Sequence, residues 1–183
     1  TKDKRGVFSS IVSTRNLFKV KESKLIKTKK PIEVFGRFNN KRDIRYLASY
    51  DTKDNRARSF LGKYKVFVSK ADGAAGFLGN PMPARVIGLP EFGGKNTICT
   101  ETFLAVGPFD TEYEAKAVMR YISTCFFRFL VGARKLKNMT QETYSFVPMQ
   151  DFTDKSDIDW SKPIKDIDKQ LYKKYGLDKK EID

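Results

Sequence analysis

The chain contains no histidine among its 183 residues, and this absence excludes several classes of active site. Nucleophile pairs of the Ser-His and Cys-His type need an imidazole, as do His-Me-type nucleases and zinc sites with histidine ligands. Two cysteines are too few for a four-cysteine zinc site, and they are too far apart in the chain to indicate a disulfide framework. We therefore expect a reduced, cytoplasmic protein without a metal site.

Long apolar runs are also missing. No stretch reaches the roughly 18–20 apolar residues that a membrane span needs, and the longest, residues 121–131, is interrupted by Ser, Thr and Arg. The charged first residues are not followed by the apolar core of a signal peptide. The chain does not begin with Met, so we expect it to be a segment of a longer protein. We expect no membrane partner.

Acidic residues are scarce in the first part of the chain. Residues 1–70 hold twenty Lys and Arg against six Asp and Glu, residues 71–150 hold eight against seven, and residues 151–183 hold eight against nine. The net charge of +14 therefore originates in residues 1–70. A segregated positive field attracts a polyanion such as nucleic acid. The alternative is a solvated basic face without a ligand.

Apolar periodicity predicts an α+β fold, because the elements do not alternate strictly between strand and helix. A long helix over 112–131 begins with a capping box formed by Thr111 and Glu114. A last helix, capped by Ser161, carries an apolar stripe and ends at Gly176. A lysine-rich run over 19–30 lacks periodicity and indicates a loop. The predicted strands are residues 32–38, 64–68, 85–89, 97–106 and 144–147.

Three short motifs are incomplete versions of known sites. The glycine-rich segment 73–79 lacks the Gly-Lys-Ser/Thr ending of a phosphate-binding loop. Residues 80–83 read Asn-Pro-Met-Pro, with Pro83 where methyltransferases that extrude a base have a stacking aromatic residue. Asp110, Glu114 and Lys116 have the residue types of a metal-dependent nuclease, but Glu114 and Lys116 are two apart on a predicted helix and do not face together.

Six phrases in order along the chain resemble the C-terminal region of bacterial fused restriction–modification adenine-N6 methyltransferases, the type IIG-like enzymes. The end of the chain is also similar to target-recognition domains of type I specificity subunits. The phrases are FSSIVS at 8–13, KVFVSK at 65–70, TETFL at 100–104, FFRFL at 126–130, YSFVPMQDF at 144–152 and LYKKYGL at 171–177.

The resemblance implies a DNA target-recognition domain over 1–155 and a helical tail over 156–183, packed on that domain or on the parent chain. It implies a mixed, curved β-sheet with one long core helix and a C-terminal helix. The methylase part that binds S-adenosylmethionine would lie elsewhere in the parent chain, so we expect no cofactor and no catalysis in this segment. The implied partners are double-stranded DNA and the rest of the parent chain.

Residue chemistry separates candidates for backbone contacts from candidates for base contacts. Lysine is a flexible point charge suited to phosphates, whereas the planar fork of arginine suits base edges in the major groove. For the DNA backbone we predict Lys27, Lys29, Lys30, Lys63 and Lys70. For the bases we predict Arg37, Asn39, Arg42, Arg45 and Arg85.

Two other functions remain open. The same charge would serve an RNA-binding module, which also needs exposed aromatic side chains to stack unpaired bases. The segment would instead be a metal-dependent nuclease of the same restriction system if Asp110 and Glu114 form its centre.

Overall fold

The computed structural model describes residues 6–39, 41–71, 86–134 and 139–182. The strands are β1 (Ile32–Phe38), β2 (Lys41–Leu47), β3 (Tyr64–Ser69), β4 (Glu91–Gly93), β5 (Thr97–Cys99) and β6 (Phe103–Phe109). The α-helices are α1 (Asn55–Ser59), α2 (Glu112–Ser123), α3 (Cys125–Arg134), α4 (Ile164–Tyr175) and α5 (Lys179–Ile182). Short 3-10 helices cover Phe8–Ile11, Glu22–Lys24 and Gln141–Tyr144.

The strands form two three-stranded sheets, so the α+β prediction is confirmed. In the mixed sheet, of order β2-β1-β5, β1 is antiparallel to β2 and parallel to β5. The antiparallel sheet has the order β4-β3-β6. The predicted mixed sheet is therefore present, but there are two sheets instead of one and neither is strongly curled.

Two hydrophobic cores explain why there are two sheets. Val66 and Val68 of β3 join a core shared with β6 and helices α2, α3 and α4. Phe67 belongs to a second core, against the mixed sheet, and its ring stacks on Phe35 of β1 with centroids 5.8 Å apart. Because successive side chains of a strand point to opposite faces, β3 needs a partner layer on each side. The layers are therefore the mixed sheet, the antiparallel sheet and the helices.

Strands β1 and β2 form a hairpin that the sequence interpretation found only in part. The structure confirms β1 over 32–38, whereas β2 is rich in Lys, Arg and Asp and has no apolar alternation that would predict a strand. The hairpin turns at Asn39, whose φ of 49° is left-handed. Asn is one of the few non-glycine residues enriched in this conformation, which suits the turn of a two-residue hairpin.

The predicted single helix over 112–131 is wrong, because the chain breaks into α2 and α3 at Thr124. The capping box of Thr111 and Glu114 is confirmed at the start of α2. Thr124 has extended backbone, and its Oγ1 accepts a hydrogen bond from the Phe127 N–H at 3.1 Å. The carboxylate of Asp168 on α4 accepts from the N–H groups of Cys125 and Phe126, both at 3.0 Å. These acceptors satisfy the first N–H groups of α3 and allow a new helix to begin.

Three other predicted elements differ from the structure. Residues 97–106 divide into β5 and β6, because Thr100 still bonds to the mixed sheet through Phe35 O and the chain then crosses to the antiparallel sheet. The described part of the strand predicted over 85–89 is not a strand. The strand predicted over 144–147 is replaced by the 3-10 helix Gln141–Tyr144 and a single bridge from Pro148 to Val7.

Helix α4 packs on the core that the antiparallel sheet shares with α2 and α3. Ile167 and Leu171 are fully buried there, and the left-handed Gly176 ends the helix as predicted. The predicted cap at Ser161 is wrong, because its side chain bonds to Asp159 instead and α4 begins after Pro163. Among the described residues, no helix combines the length and the apolar character needed to cross a membrane.

Candidate nucleic-acid interface

A cleft of about 600 Å³ lies where β3 ends and β6 begins. We call it the sheet-end cleft. Arg37 enters it from β1, Lys70 follows β3, and Arg15 comes from the segment before the hairpin. Glu101 and Glu142 also line it. The structure therefore brings together two predicted contact residues, Arg37 and Lys70, with an arginine that sequence reasoning had not selected.

Two cations of the sheet-end cleft, Arg15 and Lys70, take no part in the hydrogen bonds and ion pairs that link the described side chains. The pKa of Lys70 is lowered, first by partial burial and then by the positive charge of Arg15, while Glu101 opposes the shift. Like charges that are held close together attract an anion.

A second group of lysines lies at the opposite end of the strands, and we call it the lysine cluster. Lys29, Lys30 and Lys95 line a cleft of about 610 Å³ between the start of β1 and the β4–β5 turn. The side chain of Lys63 forms an ion pair with Asp110, and Gly62 N bonds to Lys95 O at this same end. Of the predicted backbone contacts, Lys29 and Lys30 thus share a cleft, whereas Lys63 lies at the same end of the strands and is paired with Asp110.

The lysine cluster and the sheet-end cleft are separate sites. Lys63 precedes β3 and Lys70 follows it, so seven residues at about 3.3 Å of rise each place these two lysines about 23 Å apart along the strand. Lys27 is exposed beside the bridge between Ile26 and Tyr46 on the outer edge of β2. The predicted phosphate contacts therefore do not form one continuous row.

Buried Lys65 holds the turn of the lysine cluster in place. Its side chain is fully buried in β3, and its ammonium donates to the carbonyls of Gly94 and Thr97 at 3.0 Å and of Lys95 at 3.3 Å. Burial lowers the pKa of Lys65 to about 8. Sequence reasoning missed this role, although a signal was present: Lys65 shares a strand face with buried Phe67.

The predicted base-reading arginines Arg37, Arg42 and Arg45 all have interactions within the chain, and those of Arg42 and Arg45 are with carboxylates and aromatic rings. Arg42 Nη1 is 2.6 Å from Glu91 Oε1, and its guanidinium carbon lies 5.9 Å from the ring centroid of Phe103. Arg45 Nη1 is 2.6 Å from Asp43 Oδ2, and its guanidinium carbon lies 4.9 Å from the ring centroid of Phe38. In each arginine the carboxylate therefore competes with a base for the guanidinium.

The other predicted base contacts differ in their position. Asn39 is exposed at the tip of the β1–β2 hairpin. Its left-handed backbone alone is sufficient reason for an asparagine there, and its exposed amide is available for a ligand. Arg85 lies outside the described residues, as do the glycine-rich segment 73–79 and the Asn-Pro-Met-Pro segment 80–83.

The carboxylates of the nuclease alternative have structural partners. Glu114 Oε2 accepts hydrogen bonds from the backbone N–H and the hydroxyl of Thr111 at 2.9 and 2.8 Å, and Asp110 pairs with Lys63. In residues 6–39, 41–71, 86–134 and 139–182, no group of three acidic or cysteine side chains is placed to hold a metal ion.

The two most exposed phenylalanines of the described residues lie on the helical side of the molecule, whereas the less exposed Phe92 belongs to β4. Phe129 of α3 is 76% exposed and Phe146 is 54% exposed. The guanidinium carbon of Arg134 lies 5.0 Å from the ring centroid of Phe146. Stacking residues of this kind belong to the RNA-binding alternative, but they are in a different layer from the basic hairpin.

Comparison with known proteins adds no assignment. No family model matches the chain, and neither a curated protein nor a solved structure matches it significantly. The resemblance to target-recognition regions therefore remains an expectation.

Proposed function

We propose that this chain binds double-stranded DNA in a sequence-specific manner and performs no catalysis itself. In this proposal it is the target-recognition segment of a restriction–modification adenine-N6 methyltransferase. The methylase part of the parent chain would bind S-adenosylmethionine, and the parent chain and DNA would be its partners. The finer assignment to a target-recognition type of α+β fold is part of the same proposal.

The observation that carries the proposal is the segregation of charge among the layers of the fold. Residues 17–61 hold thirteen Lys and Arg against five Asp and Glu, and they supply the β1–β2 hairpin and its flanking loops on one side of the antiparallel sheet. The helices on the other side come from residues 112–182, a part of the chain in which charges of both signs are mixed. Positive charge concentrated on one side of a molecule is typical of proteins that bind nucleic acid.

The hairpin suggests how a duplex would be read. The major groove of B-DNA admits a two-stranded β-ribbon, and the tip at Asn39 is exposed. In our proposal Asn39 and Arg37 contact base edges first, while Arg42, Arg45 and Arg85 follow as base contacts. Phosphate contacts would come from Lys27, Lys29, Lys30, Lys63 and Lys70 and would fix the register without reading sequence.

The proposal is tested by selecting bound duplexes from a randomised DNA pool, followed by titration of the selected duplex at several salt concentrations. If about six phosphates are neutralised, the plot of log affinity against log salt should have a slope of roughly −5. A pool without a shared motif, or affinity that does not change with salt, would refute the proposal. Competition with single-stranded RNA separates it from the RNA-binding alternative, because that alternative requires RNA to bind more tightly than the duplex.

The chain offers a matched control for the lysine contacts. Changing both Lys29 and Lys30 to Ala should make the salt slope shallower by about 2, because each lost phosphate contact contributes about 0.9. Changing Lys179 and Lys180 of α5 to Ala removes the same charge at another place and should leave the slope unchanged. Equal effects of the two double variants would mean that only net charge matters and that the hairpin side has no special role.

A further inference from the structure

We propose that the sheet-end cleft binds a phosphate ester, with the phosphate between Arg15 and Lys70 and the organic group against Leu104 and Met139. The chemical class is a nucleotide that carries an amino group on its base. The nucleotide can be a unit of bound DNA or a free small molecule. The proposal rests on the proposed function only if the nucleotide belongs to bound DNA.

The cations of the sheet-end cleft account for the phosphate. Arg15 and Lys70 both line the cleft and have no ion pair among the described residues. The pKa of Lys70 is lowered first by burial and then by the positive charge of Arg15, so the two cations repel each other. An anion between them removes this repulsion and accepts hydrogen bonds from both side chains. Hydrogen bonds from charged donors to a phosphate are about twice as strong as those between neutral groups.

The size and the walls of the cleft account for the organic group. A volume of about 600 Å³ far exceeds the space that a bare phosphate fills, and the side chains of Leu104 and Met139 offer apolar surface. Two carboxylates, those of Glu101 and Glu142, also line the cleft. They disfavour a second anionic group, but they accept hydrogen bonds from an exocyclic amino group, as acidic side chains do from cytosine N4.

The position of the cleft is held by two backbone hydrogen bonds and by one from the side-chain amide of Gln141. Lys70 N bonds to Thr102 O at 3.1 Å, and Met139 N bonds to Lys70 O at 2.8 Å. The amide of Gln141 donates to Ser9 O at 3.0 Å. The walls are therefore linked to one another before a ligand arrives, which reduces the entropy lost on binding.

The test is calorimetric titration of the whole chain with 5′-dAMP, 5′-dTMP and inorganic phosphate. We expect 5′-dAMP to bind most tightly, because its base has the amino group that thymine lacks. Arg15→Ala and Lys70→Met should each weaken binding of 5′-dAMP about tenfold, the effect of one charge-assisted hydrogen bond. Lys179→Ala, on helix α5, should leave binding of 5′-dAMP unchanged.

Two results would overturn the proposal: no binding of 5′-dAMP at concentrations up to about 10 mM, or unchanged binding in Arg15→Ala and Lys70→Met. Thermal unfolding of both variants verifies that they are folded, and both sites are at the surface of the cleft, so we expect little change. Tighter binding of inorganic phosphate than of 5′-dAMP would also refute the assignment, because the organic group would then contribute nothing.

Competition with duplex DNA identifies the source of the nucleotide. Displacement of 5′-dAMP by the selected duplex means that the cleft takes a nucleotide of the DNA, whereas simultaneous binding means that it takes a free nucleotide. A chain that binds 5′-dAMP but no duplex would support the cleft and refute the proposed function. A chain that binds duplex but no 5′-dAMP would refute the cleft alone.

Discussion

Asp168 gives the sharpest test of how the helical layer is built. Its carboxylate is only 5% exposed and accepts the N–H groups of Cys125 and Phe126, both at 3.0 Å. Asp168→Ala leaves these donors at the start of α3 without their acceptor. Loss of a helix cap costs about 1 kcal/mol, and a lost hydrogen bond to a buried charged group costs about 1.5–3 kcal/mol. We expect the free energy of unfolding to fall by about 2–4 kcal/mol.

Asp166 on the same helix is the matched control. Its carboxylate is half exposed and pairs with Lys169 at 2.9 Å, an exposed contact that contributes little to stability. Asp166→Ala should lower the free energy of unfolding by less than about 1 kcal/mol. Urea unfolding followed by circular dichroism measures both variants. Equal losses for Asp166→Ala and Asp168→Ala would refute the claim that Asp168 caps α3.

Three further predictions concern the sheets and the hairpin. Lys65 has a folded pKa of about 8, below its unfolded value of 10.5, so the unfolded state binds more protons between these values. The free energy of unfolding of the wild type should therefore rise relative to that of Lys65→Met as pH rises from 8 to 10.5, by up to about 1.4 kcal/mol per pH unit. Urea unfolding at several pH values measures this difference, and a difference that does not change with pH would contradict the prediction. Gly93→Ala should destabilise the fold by about 1–3 kcal/mol, since a Cβ would lie 2.7 Å from Lys65 Cγ and Phe67 Cε2; an unchanged melting temperature would contradict this. Arg42→Ala should weaken binding of the selected duplex by about 1–3 kcal/mol at one base position, whereas Glu91→Gln, which removes only the ion partner, should not weaken it. Equal losses from Arg42→Ala and Glu91→Gln would make Arg42 structural.

The candidate site was only partly predictable, because a sequence shows how many charged residues it has but not whether each side chain points to solvent, to an ion partner or into the core. The lysines of residues 19–30 and the arginines of the hairpin were selected because of their abundance. In the structure, Arg42 and Arg45 form ion pairs inside the chain, and Lys65 is completely buried. Arg15 was not selected, because nothing in its sequence neighbourhood indicates that it meets Lys70 in a cleft.

Local chemistry determined the elements that depend on neighbouring residues. The capping box of Thr111 and Glu114, the end of α4 at Gly176, and strand β1 over 32–38 follow from side-chain type and spacing within a few residues. Both partners of such an interaction lie within a few residues of each other, so the sequence alone is enough to predict it. The α+β class also follows from the order of such elements.

Tertiary structure alone decided the features that depend on distant residues. The break between α2 and α3 needs Asp168, which is more than forty residues further along the chain. The division of 97–106 into β5 and β6 needs the carbonyl of Phe35 in another strand. Whether β3 joins one sheet or separates two cores depends on which layers cover Val66 and Phe67. These choices are made by packing and hydrogen bonding between elements, and no local pattern encodes which partner an exposed N–H, carbonyl or apolar face will find.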